Sequence, residues 1–221
     1  PADDYYSVCR FYGRDYAIKS YGPIIVRPSD KKDHYVKRCV AVAGDTLSVV
    51  NGQVYINSFA QTVWPGIQTT YTVTTDGTRI NLKKLEKLGL NISELQYDET
   101  LPGYPEMPLT AEMLKEVESC TNVTDIQEDI DVYPPDYPDS YLMLFPYKES
   151  FRWTRDNYGP IWIPEAGVTV KLTSENLPLY ERIIRVYEHN DLRIGADGKI
   201  LINGVQTDEY TFKQDYYFMM G

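Results

Sequence analysis

Two stretches of this chain share one pattern, in which strand-like runs alternate with turns that contain glycine. One is KRCVAVAGDTLSVVNGQVYIN, residues 37–57, and the other is ERIIRVYEHNDLRIGADGKILIN, residues 181–203. Each predicts a strand, a turn, a second strand, a glycine turn and a third strand. Asn51-Gly52 and Asp197-Gly198 supply the positive φ angles that tight hairpins need. Two copies are too few for a solenoid, so the pattern predicts a β-rich core.

The region between the two copies has a different pattern. Residues 81–88 and 110–120 predict short amphipathic helices, with Thr110 as an N-cap and Gly89 as a C-terminal stop. Two further runs predict strands, at residues 70–75 and 123–131. The sequence therefore predicts a small α+β insertion within a mainly β chain.

These patterns predict a division into two domains. Residues 1–58 together with 166–221 are expected to form the β-rich core, and residues 59–165 the insertion. The length of 221 residues suits one large or two small domains. No run in this sequence is long enough to cross a bilayer, and we expect no signal peptide among its first residues. The chain opens on Pro1 and closes on the apolar run DYYFMMG, so we expect it to continue in a longer parent protein.

Composition narrows the function classes. The net charge of -10 disfavours nonspecific binding to nucleic acid or anionic lipid. Twenty tyrosines are typical of a β-rich core with half-buried edges. The three cysteines, Cys9, Cys39 and Cys120, fit neither a zinc site nor a disulfide framework. With only His34 and His189, no His-rich metal site can form.

One lysine stands inside an apolar, strand-like run. With a period of two, Lys37 shares a face with Cys39, Ala41 and Ala43. The opposite face carries three valines and one arginine, namely Val36, Arg38, Val40 and Val42. Both faces are predicted to be mostly buried. A buried ammonium has a lowered pKa, and its neutral amine can serve as a base. The ordinary alternative is one lysine that reaches solvent beside one arginine in a salt bridge.

The segment YGPIIVRPSDKKDHYVKRCVAVAGD resembles bacterial signal peptidase I, and most closely its longer Bacteroides-type form. The family's Lys-Arg-x-Val-x-x-x-Gly-Asp core falls on Lys37, Arg38, Val40, Gly44 and Asp45. NGQVYIN and DGKILINGVQTDEYTF resemble the hairpins that connect the family's conserved sequence motifs, which are called boxes. DYYFMMG, which ends at Gly221, resembles the start of the last box.

The resemblance implies a fold and a mechanism. The fold would be a mainly β, signal-peptidase-like or LexA-like β-ribbon core with the small α+β insertion. The enzyme would be a membrane-anchored serine endopeptidase on the periplasmic side of the plasma membrane, which removes signal peptides through a Ser/Lys dyad. Lys37 would be the general base, and no metal or cofactor would be required. Tyr35 and Val36 would line the pocket for the small residue before the cut, with plain strand packing as their ordinary alternative. Arg38, Gly44, Asp45 and Gly221 would be structural residues near the site.

The sequence departs from the family where the nucleophile is expected. None of its serines lies in the family's Ser-x-Ser-Met-x-Pro motif, and the last box stops after Gly221. The chain alone is therefore expected to be an inactive fragment or a degenerate homologue. A noncatalytic peptide-binding relative and a LexA-like self-cleaving regulator are the alternatives. If Lys37 is the base, it should face an apolar groove, with no carboxylate in salt-bridge distance. A Lys37 that extends into solvent or pairs with an Asp or Glu would count against this role.

Overall fold

A computed structural model describes residues 5–23, 25, 28–31, 35–134, 144–148, 150–195 and 197–220. The helices are α1 (Tyr5–Tyr12), α2 (Arg14–Tyr21), α3 (Lys83–Lys87), α4 (Ala111–Glu118) and α5 (Leu177–Arg182). A π-helical segment, Ile183–Tyr187, continues α5, and short 3₁₀ turns occur at Ser29–Lys31 and Ile92–Glu94. The strands are β1 (Arg38–Ala41), β2 (Thr46–Val50), β3 (Gln53–Ile56), β4 (Phe59–Ala60), β5 (Thr69–Thr75), β6 (Gly103–Leu109), β7 (Val123–Glu128), β8 (Asn157–Trp162), β9 (Thr169–Lys171), β10 (Leu192–Ile194), β11 (Ile200–Ile202), β12 (Val205–Gln206), β13 (Glu209–Thr211) and β14 (Phe218–Met220). The mainly β fold class predicted from the sequence is confirmed.

The chain divides into two compact units. The first unit comprises Pro1–Thr46, Pro134–Trp153 and Ile161–Gly221, and the second comprises Leu47–Tyr133 and Thr154–Pro160. The predicted division, with residues 1–58 and 166–221 in one domain and residues 59–165 in the other, stays a prediction. The boundaries between the two compact units lie at other residues.

The second unit has an apolar core between helices and a sheet. Its strands β6, β5 and β7 form an antiparallel sheet in that order. Met113 and Val117 of α4 and Leu85 of α3 are buried in one cluster with Val73 and Met107 of the sheet. The spacing of four between Met113 and Val117 places both on one face of α4. Burial of this face is what holds so short a helix in place.

The predicted helices and strands of this region are confirmed, with ends shifted by a few residues. The Thr110 hydroxyl accepts a hydrogen bond from the Met113 amide at 3.2 Å and caps α4. Gly89 follows α3 with a φ of 98°. A second, four-stranded sheet has the order β4, β3, β2, β8, and residues 157–160 of β8 belong to this unit. The hairpin between β2 and β3 turns on Asn51 and Gly52, both with positive φ.

The first unit contains three small antiparallel sheets among its described strands. They pair β1 with β14, β9 with β13, and β10 through β11 with β12. Phe212 is 1% exposed, and its ring contacts those of Trp162, Tyr180 and Tyr210 at centroid distances of 5.9, 5.5 and 5.4 Å. Aromatic packing around Phe212 therefore forms the centre of this unit.

The prediction of a strand at the start of the second copy was wrong. Residues 181–187 lie in α5 and the π-helical segment that follows it. Leu177, Tyr180 and Ile184 are buried at spacings of three and four, which is a helical stripe. The Arg185 guanidinium also binds the Glu181 carboxylate at 2.7 Å, four residues away. The β-branched residues Ile183, Ile184 and Val186 favoured a strand locally, but burial of one helical face decided otherwise.

The rest of the second copy keeps the predicted strands. Strands β10 and β11 form a hairpin whose connecting loop contains Asp197 and Gly198, with a φ of 78° at Gly198. Strands β11 and β12 turn on Asn203 and Gly204, which both have positive φ. The hairpins of the two copies are thus alike, although their first elements differ.

Candidate active-site strand

The lysine singled out by the sequence lies directly before β1. Strand β1 pairs antiparallel with β14, so that Arg38 lies opposite Met220, and Ala41 opposite Phe218. The register shifts between Cys39 and Ala41, which marks a β-bulge or irregularity. In the described part of the chain β1 has no other strand partner, so its second edge carries backbone groups open to pairing.

The expectation that both faces of this run are buried was wrong. Lys37, Arg38 and Cys39 are exposed, Val40 is half-buried, and only Ala41 is fully buried, at 2% exposure. Farther along, Val42 is 48% exposed and Ala43 is half-buried. The physical reason is that a sheet of two short described strands covers little surface.

The two predicted substrate-binding residues are almost fully exposed. Tyr35 is 82% exposed and Val36 is 95% exposed. Both side chains are therefore accessible to a ligand. Their role in binding the small residue before the cut stays a prediction.

Lys37 has no carboxylate partner within the ranges that the structure describes. It also does not face a closed apolar groove, because its side chain is exposed. The lack of a carboxylate partner agrees with the role of a general base. The exposure of the side chain does not, because a general base was expected to face an apolar groove. The catalytic role of Lys37 stays a prediction, as do the supporting roles of Arg38, Gly44 and Asp45. Gly221 and His34 lie outside the described residues.

A glycine turn fixes the end of β1. The Asp45 amide donates to the Val42 carbonyl at 3.1 Å, and the Asp45 carboxylate accepts from the Val42 amide at 3.0 Å. Gly44 has a φ of 87°, which favours glycine at the third position of such a turn. A Cβ at Gly44 would also lie 3.0 Å from the Glu165 carboxylate. Any larger residue at position 44 would therefore strain this turn.

The turn is held by the segment that follows β8. The Gly44 amide donates to the Ile163 carbonyl at 2.9 Å, and the Ile163 amide donates to the Asp45 carbonyl at 2.8 Å. One residue on, the Pro164 carbonyl accepts from the Tyr216 amide at 3.0 Å. Tyr216 lies two residues before β14. The same short segment, 163–164, therefore supports the turn after β1 and the approach to its partner strand.

A buried carboxylate anchors this framework. Glu188 is 5% exposed, and its carboxylate accepts hydrogen bonds from the Tyr210 hydroxyl, from the Tyr216 hydroxyl at 3.2 Å and from the Lys213 amide at 2.9 Å. Asn190 extends the network by donating to the Tyr210 hydroxyl at 2.7 Å. Hydrogen bonds to a charged acceptor are stronger than neutral ones. Glu188 therefore fastens the segment 210–216 that leads into β14.

Both phenols of this network have a raised pKa. Burial raises the pKa of Tyr210 most, and the hydrogen bond to Glu188 and the negative charge of Glu188 raise it further. For Tyr216 the order is burial, then the charge of Glu188, then the hydrogen bond. Both tyrosines therefore remain protonated donors at neutral pH.

Sequence reasoning missed Glu188. The only sequence feature that could have indicated its burial is its position four residues after the apolar Ile184, which the structure shows to be fully buried. That spacing points inward only if the segment is helical, whereas the sequence pattern predicted a strand there. The two tyrosines that bind Glu188 are distant in the chain, and nothing in the sequence connects them with it.

An apolar cavity of about 250 Å³ lies in the first unit beside β14. Aromatic side chains dominate its lining, among them Trp162, Tyr216 and Phe218. Such a cavity suits an apolar side chain rather than a charged group. Within the described ranges, no group of three or more His, Cys, Asp or Glu side chains could hold a metal ion.

The chain matches the sequence model of the family described as "Signal peptidase, peptidase S26" over residues 2–125. Since this is more than half of its length, the chain belongs to that family, and its general function is that of a signal peptidase. The matched part includes Lys37, β1 and the glycine turn. Neither the comparison with curated proteins nor the comparison with solved structures gave a match. Among the described helices none has the length and apolar character needed to span a membrane.

Proposed function

We propose that this chain supplies the general base, Lys37, of a Ser/Lys dyad that removes signal peptides from exported preproteins. Family membership supports the peptidase class, and the matched residues include Lys37. The observation that carries the assignment is local: Lys37 directly precedes β1 and, in the described part of the chain, makes no ion pair with a carboxylate. A lysine held in an ion pair would be kept protonated and could not accept a proton.

The chemistry needs a serine that this sequence does not carry in the family's motif. That serine would attack the carbonyl of the scissile peptide, and Lys37 would accept its proton and pass one to the leaving amine. The backbone amide of the serine would help to stabilise the oxyanion. We infer that the serine belongs to the parent protein outside this chain and that the chain alone is inactive.

The exposure of Lys37 fits a site that closes when its other parts arrive. The second edge of β1 has no strand partner in the described part of the chain, so an extended substrate can pair there. Tyr35 and Val36 would then contact the small residue before the cut. The substrate and the serine-bearing segment would exclude water from Lys37 and favour its neutral amine. We place the working enzyme at the periplasmic face of the plasma membrane, with its anchor outside this chain.

The alternative is a noncatalytic relative that binds extended peptides at the same edge. Two observations support this noncatalytic alternative, namely the exposure of Lys37 and the lack of the serine motif in this sequence. In that protein Lys37 would not take part in chemistry.

Substitution of one lysine at a time in the full-length, membrane-anchored protein tests the proposal. Lys37→Ala should lower preprotein cleavage by about 10²–10⁴-fold, the usual effect of removing a general base. Lys199→Ala is the matched control, because Lys199 is a half-exposed lysine that pairs with Asp197 at 2.8 Å in a hairpin loop. Its cleavage rate should equal that of the wild type.

Two outcomes would reject the dyad. Equal, near-wild-type cleavage by both variants would remove Lys37 from the mechanism. Binding of signal peptides without any cleavage by the wild-type full-length protein would instead favour the noncatalytic relative. Because Lys37 is exposed, its substitution should leave the far-UV circular dichroism spectrum unchanged, and loss of folding would not explain a lost activity.

A further inference from the structure

A rigid turn in the second unit presents apolar side chains to solvent. The Ile67 amide donates to the Trp64 carbonyl at 3.2 Å, and Gly66 has a φ of 91°. Proline at the second position and glycine at the third are the residues that a type II turn requires. Pro65 also restricts the backbone before any ligand binds. Trp64 and Ile67, at the two ends of this turn, are therefore held in fixed positions.

The exposed side chains of this turn form a group rather than isolated residues. Val63 is 64% exposed, Trp64 is 61% exposed and Ile67 is 39% exposed. Single exposed apolar residues are common on protein surfaces, but contiguous ones mark interaction sites. Tryptophan in particular is enriched among the residues that contribute most to binding.

A groove of about 770 Å³ lies beside the turn, and we call it the Trp64 groove. Its floor contains Tyr71, Leu88, Leu109 and Leu114, which belong to or pack against the core of the second unit. Helix α4 supplies another part of its lining, which includes one acidic and one basic side chain, Glu112 and Lys115. The groove therefore has the apolar lining and the fixed aromatic rim that a docking site for apolar side chains needs.

The surroundings of the groove are acidic. An adjoining groove of about 340 Å³ also contains Val63 and Ile67 and is lined by Glu128, Asp129 and Asp156. The arginine in that groove, Arg155, binds Asp131 at 3.1 Å and so adds little positive charge to the surface. The whole second unit contains 14 Asp and Glu residues against 6 Lys and Arg residues.

We propose that the Trp64 groove binds a polypeptide segment in which apolar side chains alternate with lysine or arginine. The apolar side chains would enter the groove beside Trp64, and the basic side chains would face Glu128 and Asp129 in the adjoining groove. Charge complementarity selects this partner. A second copy of this chain would bring one acidic surface against another, and an anionic bilayer would be repelled.

This inference goes beyond the proposed peptidase role and does not depend on it. Neither groove contains any residue of the Lys37 strand, and binding can be measured without cleavage. A partner of this chemistry would be recognised by the second unit, whether or not Lys37 acts as a base.

Two synthetic peptides test the proposal directly. In one peptide leucine alternates with lysine, and its counterpart has glutamate in place of each lysine. Fluorescence anisotropy of each labelled peptide, titrated with the full chain, measures the two dissociation constants. The lysine peptide should bind at least about 10-fold more tightly than the glutamate peptide, and its affinity should fall as salt is added.

Substitutions then locate the site. Trp64→Ala should weaken binding of the lysine peptide by at least about 10-fold, the effect expected of a central aromatic residue. Phe59→Ala is the matched control, since Phe59 is 76% exposed in the same unit and lines neither groove. A Glu128→Gln, Asp129→Asn double variant should weaken binding and reduce its dependence on salt. All four side chains are exposed, so each variant should keep the wild-type circular dichroism spectrum.

Four results would overturn the proposal. They are equal binding of the two peptides, an unchanged affinity in Trp64→Ala, a tryptophan emission that shifts to the blue with phosphatidylcholine or phosphatidylglycerol vesicles in the wild type but not in Trp64→Ala and not with the lysine peptide, and a chain dimer that Trp64→Ala dissociates. The last two would assign the groove to a bilayer or to a second copy.

Discussion

The two units of this protein are stabilised in different ways. The second unit buries an apolar cluster between short helices and a sheet, and its buried polar residues, Thr75 and Thr154, are neutral. The first unit buries the charged Glu188 together with Asn190, and its segments are joined through their hydrogen bonds. The unit that carries the candidate active-site strand therefore adds specific polar partners to its aromatic packing, whereas the second unit depends mainly on buried apolar area.

The largest effect is expected in the apolar core of the second unit. Met107→Ala should lower the free energy of opening of this unit by about 2–5 kcal/mol, because Met107 is fully buried and its truncation leaves a cavity. Amide hydrogen exchange of β5 and β6 measures this change. Leu101→Ala, at a residue 78% exposed, should change it by less than about 0.5 kcal/mol. Equal effects of the two substitutions would contradict an apolar core here.

The next effect tests the charged network of the first unit. Tyr210→Phe removes a donor to the buried Glu188 and should cost about 1.5–3 kcal/mol, the usual range for a hydrogen bond to a charged group. Tyr97→Phe is the counterpart in the second unit, where the hydroxyl pairs with neutral Thr75 at 2.9 Å. That substitution should cost about 0.5–1.5 kcal/mol. If Tyr97→Phe costs more than Tyr210→Phe in hydrogen-exchange measurements, the comparison fails.

Alkaline pH should act on the same network. The folded pKa values of Tyr210 and Tyr216 are raised above the ordinary value of 10.0, so above pH 10 the unfolded chain loses these protons first. The contribution of these two tyrosines to the free energy of unfolding is complete below pH 10, and it decreases as the pH rises from there towards their pKa values in the folded protein. Denaturant unfolding between pH 8 and roughly pH 11 measures this decline. In the double variant Tyr210→Phe, Tyr216→Phe the decline should be smaller, and an identical decline would exclude both tyrosines as its source.

The smallest effects are expected from surface ion pairs, in both units alike. Arg79 binds Glu99 at 2.8 Å in the second unit, and Arg193 binds Asp191 at 2.9 Å in the first. All four side chains are more than half exposed, so solvent and salt weaken the attraction. Arg79→Ala and Arg193→Ala should therefore leave the melting temperature unchanged within error. A clear drop in the melting temperature of only one variant would show that the two units also differ in how much surface ion pairs stabilise them.

Much of the local structure could be predicted from the sequence. The hairpin at Asn51-Gly52, the N-cap at Thr110 and the end of α3 near Gly89 depend on the conformational preferences of a few adjacent residues. Such preferences act over short distances and are visible in the chain itself. The motif around Lys37 indicated the family in the same way, and the family match includes it.

Burial and long-range partners could not be predicted in this way. The pattern of residues 36–43 predicted a mostly buried strand, but residues 36–39 are exposed, since burial depends on which other segments cover a strand. Residues 183–187 have the composition of a strand but are helical, because Ile184 is buried together with Leu177 and Tyr180. Only tertiary structure brought Glu188 to Tyr210 and Tyr216, because hydrogen bonds between residues more than twenty positions apart leave no local pattern. The sequence by itself determined the turns, the hairpins and the family, whereas the tertiary structure decided which side chains are covered and which distant groups meet.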